Sequence, residues 1–186
     1  NRIGEYAFYG CTGLTELQLP DSLTSYEYRA FADCSNLEKI NYPISLTSGA
    51  FGAFQNDTKL TEITVPEGVK TLAPGAFQNA SCLKKITLPA GLTKIGNAAF
   101  QDCTGLTEID IPDSVTEIGE YAFQDCRKVK KLILPDGLKR YGYRAFSDCE
   151  LLESINYPLK LEEGGANAFQ NDKTLSEIII PDGTEI

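Results

Sequence analysis

The chain contains no histidine among its 186 residues, which excludes a Ser-His-Asp triad, a Cys-His pair and any histidine-built metal centre. Basic residues are scarce relative to acidic ones, 17 against 26, for a formal net charge of −9. Nucleic acid and anionic membrane both need a basic footprint, so neither is expected as a partner. No stretch approaches the roughly 18 uninterrupted apolar residues of a membrane span, so direct membrane insertion is not expected, and the start does not read as a signal peptide. Methionine is missing as well, and the chain begins at Asn1 and stops at Ile186 in mid-repeat. It therefore reads as a piece of a longer array, with residues 1–186 forming one elongated domain whose length follows its copy number.

What is present is a repeat. Phe8, Phe31, Phe54, Phe77, Phe100, Phe123, Phe146 and Phe169 stand 23 residues apart, each preceded by alanine. Pro20, Pro43, Pro66, Pro89, Pro112, Pro135, Pro158 and Pro181 keep the same spacing. A unit of this length cannot bury its apolar face alone and must lean on its neighbours. Aliphatic columns run through Leu14, Leu37, Leu60, Leu83, Leu106, Val129, Leu152 and Leu175, then three residues on through Leu17, Ile40, Ile63, Ile86, Ile109, Leu132, Ile155 and Ile178. Two residues further lie Leu19, Val65, Leu88, Ile111, Leu134 and Ile180, an alternation that predicts a short strand with one face inward. The proline ends that strand, because it cannot sit inside a hydrogen-bonded ladder. A second apolar segment, as at Val115 and Ile118, and a short helical turn around the Ala-Phe pair complete the predicted coil.

A longer period is nested inside the short one: residues 28–68 and 143–183 match at more than half of their positions, at an offset of 115 residues or five coils. In both blocks the strand aliphatic becomes tyrosine, Tyr42 and Tyr157, and a column that elsewhere holds Leu72, Ile95 or Ile118 becomes glycine, Gly49 and Gly164. Large residues appear where small ones remove volume, which predicts a compensated core.

The pattern L-x-x-L-x-L-P, a second aliphatic segment and A-F-x-x-C resembles the BspA-like class of bacterial leucine-rich repeats over the whole chain. It departs from common leucine-rich repeats in lacking the asparagine ladder after the strand, where Ser22, Ser45, Gly68, Gly91, Ser114, Gly137, Lys160 and Gly183 stand. The resemblance implies a right-handed leucine-rich-repeat solenoid, an α/β repeat that is mainly β, with about eight coils and a continuous parallel sheet. It also implies a cell-surface or secreted protein, often an adhesin.

No constellation for catalysis stands out. Paired carboxylates would need a pocket, and a short-coil solenoid offers a surface more readily, so no enzyme and no cofactor are expected. Cys11, Cys34, Cys103, Cys126 and Cys149 share one column, close enough between neighbouring coils for disulfides, while Cys82 lies two residues off it. Asp57, Ala80 and Asp172 replace the thiol without breaking the repeat, so a small buried filler is expected rather than a bridge or a metal site. The column Asp33, Asn56, Asn79, Asp102, Asp125, Asp148 and Asn171 suits Asx bonds to nearby backbone. A line of carboxylates at Asp102, Asp125 and Asp148 could also attract calcium, though it is no cage.

The candidate partner-binding face is the outward side of the strand. One column reads Glu16, Lys39, Glu62, Lys85, Glu108, Lys131, Ser154 and Glu177; its neighbour reads Gln18, Asn41, Thr64, Thr87, Asp110, Ile133, Asn156 and Ile179. Two readings of the first column are open: opposite charges alternating from coil to coil fix the stacking, or they read a ligand. Tyrosines at Tyr6, Tyr9, Tyr26, Tyr28, Tyr121, Tyr141 and Tyr143, with Arg29 and Arg144 beside two of them, leave the same choice between packing at the core edge and contact with a protein or glycan. The expected function is a non-enzymatic surface module that binds protein or glycan, with a structural spacer or a carbohydrate-binding module as alternatives. Ends with no polar cover predict end-to-end self-association of the isolated piece.

Overall fold

The computed structural model describes residues 1–182; Gly183 lies outside them. The chain winds as a parallel solenoid in which each coil pairs with the coil 23 residues on. A first ladder joins the strands before the proline: Glu16–Leu17 with Lys39–Ile40, then Glu62–Thr64 with Lys85–Thr87 and Glu108–Ile109, then Lys131–Leu132 with Ser154–Asn156 and Glu177–Ile179. A second ladder, from the other apolar segment, runs unbroken through Thr71–Leu72, Lys94–Ile95, Glu117–Ile118, Arg140–Tyr141 and Glu163–Gly164. Between the two, the proline makes the corner. Its carbonyl accepts from the N–H three residues on in coil after coil, as in Leu23 to Pro20 at 2.9 Å and Val115 to Pro112 at 3.0 Å.

The helical turn expected around Ala-Phe does not form, and no described residue is helical. Two left-handed residues bracket the segment in every coil, for instance Ala98 (φ 53°) and Asp102 (φ 61°), or Tyr121 and Asp125 (both φ 57°). Residues in that region stop a right-handed helix. Backbone N–H groups then alternate in their partners. Ala98, Phe100 and Asp102 donate across to Glu120, Ala122 and Gln124 of the next coil, whereas Ala99, Gln101 and Cys103 donate back three residues within their own coil. This builds a third ladder out of turns and, from Ala98 to Cys103, satisfies every N–H, as burial requires. It also explains the Asp/Asn column. Those residues occupy the second left-handed position, which asparagine and aspartate tolerate best after glycine, and Gly10 holds it in the first coil. Four of their side chains pair sideways between coils, Asn56 to Asp33 at 2.9 Å and Asn171 to Asp148 at 2.8 Å, rather than with nearby backbone.

The phenylalanines form the core spine. Neighbouring rings lie 5.2–6.2 Å apart from Phe8 to Phe169, with near-parallel planes everywhere except between Phe54 and Phe77, which tilt by 32°. The exception has a cause. The buried Tyr26 hydroxyl donates to the Ala76 carbonyl two coils on, an acceptor whose counterparts at Ala99 and Ala122 receive a phenylalanine N–H. Gly49 lies in the coil that Tyr26 must pass. A side chain there would start 2.7 Å from the Ala76 Cα.

The compensation predicted for Tyr42, Tyr157 and the two glycines is therefore made by other rings in part. Tyr141, the counterpart of Tyr26, fills the space at Gly164, its hydroxyl 2.8 Å from where a Cβ would stand. Tyr42 is buried and accepts from the Ala73 N–H at 3.0 Å.

Candidate functional site

The first ladder places the predicted face on one surface. Every residue on it is exposed except Asn41, Ser154 and Asn156, which are half-buried. The register puts Glu16 beside Lys39, Lys85 between Glu62 and Glu108, Ser154 between Lys131 and Glu177, Thr64 beside Thr87, and Asn156 beside Ile179. Opposite charges are thus lateral neighbours, as the sequence indicates. Among the described residues, none of these neighbours closes an ion pair. The contrast is on the second ladder, where Glu117 takes Lys94 at 3.0 Å on one side and Arg140 at 2.5 Å on the other. Those two cations hold the Glu117 carboxyl below the usual carboxylate range. Charge that fixes stacking is therefore found on the second ladder, which sequence reasoning passed over. The alternation Lys94, Glu117, Arg140, Glu163 at the 23-residue spacing was the available signal.

Asn41 and Asn156 have a different task from their exposed neighbours. Asn41 Oδ1 accepts from the Leu19 N–H at 2.6 Å while its Nδ2 donates to the Leu19 carbonyl at 2.9 Å. Asn156 does the same to Leu134, at 2.7 and 2.8 Å. A side-chain amide replaces the ladder at these two places, so both residues help to hold the stack.

The first ladder is interrupted between Ile40 and Glu62, and again between Ile109 and Lys131. Clefts open at both interruptions. The larger apolar one, about 580 Å³, has Ile109, Asp110 and Glu108 on one side and Lys128, Lys130, Lys131 and Ile133 on the other. Ile133 is 59% exposed there. A shallower one, about 350 Å³, lies over Glu16, Lys39, Asn41, Glu62 and Thr64. The geometry suits a macromolecule laid across the coils, with an apolar contact among charges of both signs.

The tyrosines divide. Tyr26 and Tyr141 are core residues. Tyr6 and Tyr9 are 46% and 47% exposed, and Tyr6 meets Tyr9 and Tyr28 edge to face at 5.5 and 5.4 Å. Tyr28 stacks on the exposed Phe51, and the Arg29 guanidinium lies over the Tyr28 ring. Five coils on, Tyr121, Tyr143 and Arg144 repeat the Tyr6, Tyr28 and Arg29 arrangement.

The thiols are protein filler for the most part. Cys34, Cys103, Cys126 and Cys149 are buried, Cys82 is half-buried and Cys11 is exposed, and all six are free. Four of them donate to the carbonyl of a phenylalanine in the preceding coil, Cys34 to Phe8 at 3.0 Å and Cys103 to Phe77 at 3.1 Å, with Cys126 and Cys149 alike at 3.3 Å. Burial pushes the Cys34 thiol up to about 11 and the deeper ones higher still. The Asp102, Asp125 and Asp148 line is engaged with protein partners at two of its members, Asp125 with Arg127 at 2.8 Å and Asp148 with Asn171. Among the described residues no group of three or more ligating side chains could hold a metal ion.

No curated protein matches the chain. The pattern of the BspA type leucine rich repeat region matches in six copies, over residues 1–107 and 70–186. Among solved structures, a leucine-rich repeat protein from Bacteroides ovatus ATCC 8483 is similar with a TM-score of 0.68 at 29% identity, covering 98% of this chain and 53% of its own. The chain thus spans about half the length of that protein. The T. pallidum leucine rich repeat protein gives 0.61 at 29%, covering 98% and 72%. A leucine rich cell surface protein from Faecalibacterium prausnitzii A2-165 shares the fold at 0.50 and 24%, covering 96% and 64%. With the repeat pattern running from one end to the other and the same coil recurring in solved bacterial proteins, the chain belongs to the BspA type leucine-rich repeat family.

Proposed function

We propose that the chain is a non-enzymatic interaction module displayed at a cell surface, and that it adheres to a macromolecular partner through the outward face of its first ladder. One observation carries the reading: charges in complementary register on that face are left unpaired toward solvent, while equivalent charges on the second ladder are closed against each other. Unpaired charge around an apolar centre, here Ile133, is the composition of an interface in which a few desolvated residues supply most of the affinity. A surface location accords with the Faecalibacterium prausnitzii relative, itself a cell surface protein.

Beads coated with the chain should adhere to cells, and Ile133→Asp combined with Lys131→Glu should abolish adherence while leaving the unfolding midpoint unchanged. Adherence equal to that of bare beads would leave the spacer role. The exposed Tyr6, Tyr9 and Phe51 favour a second reading, glycan binding. That would appear as saturable glycan-array signals lost on Tyr6→Ala and Tyr9→Ala.

A further inference from the structure

The geometry points to Asp57 and Asp172 being held as neutral carboxylic acids, each donating its proton to a phenylalanine carbonyl in the preceding coil, Phe31 and Phe146, so that the stack loosens as rising pH removes the proton. The pattern elsewhere in the column shows what is missing. A phenylalanine carbonyl normally receives two donors: the N–H three residues on, as from Cys103 to Phe100 and Cys126 to Phe123, and the thiol 26 residues on, as from Cys126 to Phe100 and Cys149 to Phe123.

At Phe31 and Phe146 both donors are gone. The Cys34 N–H turns instead to Asp57 Oδ1, and the Cys149 N–H to Asp172 Oδ1, each at 2.8 Å. The residue 26 positions on, which would bring the thiol, is the aspartate itself. Its second oxygen, Oδ2, is buried without a partner in both coils. Each coil therefore leaves two buried acceptors, a carboxylate oxygen and a main-chain carbonyl, that a single proton on Oδ2 would satisfy together. An unsatisfied buried acceptor is costly, and an unpaired buried charge more so. The arrangement occurs twice, 115 residues apart, with the same partners.

Apart from the Cys34 and Cys149 N–H groups, which favour the ionised form but are outweighed by burial, the surroundings give that form no help. Around Asp57 stand Asp33 and Cys34 from the coil before and Cys82, which donates to the Asp57 main-chain carbonyl, from the coil after; around Asp172 stand Asp148 and Cys149. No cation pairs with either aspartate among the described residues. Burial, with Asp33 and Asp148 adding to it, raises the acids from 3.8 to about 8 and about 7. The folded state then keeps protons that the unfolded chain releases. Stability from this source is full below about pH 4, falls as the pH climbs to about 8, and loses nothing more beyond. The chain has no histidine to obscure that window.

The infrared spectrum of the native chain in heavy water at about pH 6 should show the carbonyl band of un-ionised carboxylic acid, absent in the Asp57→Asn, Asp172→Asn double variant. Asparagine keeps an oxygen for Cys34 or Cys149 and offers an N–H to the phenylalanine carbonyl. The native urea midpoint should fall from about pH 5 to about pH 8, while that of the double variant stays flat and is the higher of the two at the upper end. No acid band at about pH 6 would overturn the proposal whatever the variants do. A native midpoint independent of pH would overturn the loosening.

Discussion

Replacing Phe100 by alanine tests the core directly. Phe100 is fully buried, with ring neighbours on both sides, Phe77 at 5.7 Å and Phe123 at 5.2 Å. Truncating a buried phenylalanine costs about 3–5 kcal/mol in lost transfer energy and residual cavity. Each stacked contact adds about 0.5–1.5 kcal/mol beyond area alone, and rigid neighbours on both sides leave little room for collapse, so the upper part of that range is expected. Phe8 supplies the internal standard. It is half-buried and touches one ring of the spine, Phe31, so Phe8→Ala should cost about half as much. Urea unfolding followed by far-ultraviolet circular dichroism measures both, since the chain has no tryptophan to report by fluorescence. Equal midpoints for the two variants, or an unchanged midpoint for Phe100→Ala, would refute the ring column as the main source of stability.

Gly119→Ala should destabilise by more than about 1 kcal/mol, because its Cβ would stand 2.5 Å from the Asn97 main-chain nitrogen, whereas Gly137→Ala, at 3.5 Å from the Asp113 carbonyl oxygen, should be near neutral in the same assay. An aromatic disulfide reagent should modify Cys11 at once and Cys34, Cys103, Cys126 and Cys149 only after denaturant is added, which absorbance against time will resolve. With Ile178 and Ile179 exposed on the last described strand and Ile180 exposed just beyond it, the 186-residue chain should associate in a concentration-dependent way, and light scattering should show the effect weakened by Ile179→Lys.

The columns made much of this legible. Phenylalanine, proline and the aliphatics repeat so regularly that the parallel stack, the buried spine and the outward side of the first ladder could be placed from residue types alone. The missing helix was harder, because Ala-Phe-Gln has good helical composition and the veto lies in two left-handed residues, one of which is tyrosine, arginine or alanine in several coils. Those residue types do not advertise that conformation. Asn41 and Asn156 look like any other polar residue on the outward column, and only their paired bonds to the main chain of Leu19 and Leu134 show that their amides stand in for backbone. Asp57 and Asp172 looked like tolerated fillers in a thiol column. Their meaning depends on which carbonyl lies 26 residues back and which N–H has been diverted, a relation between coils that no single repeat displays.

The three ladders have a mechanical side. Their hydrogen bonds run from coil to coil, so a pull applied along the stack stretches them lengthwise, with all bonds of one interface sharing the load and successive interfaces bearing it in series. Under such a load the weakest interface yields first, and here two are marked, between Ile40 and Glu62 and between Ile109 and Lys131, where the first ladder is open. Each released coil pays out 23 residues, roughly 80 Å of extended chain. A tether built this way absorbs sudden tension in discrete steps at places set by its sequence, and the coils between the marked interfaces keep their shape while it does so.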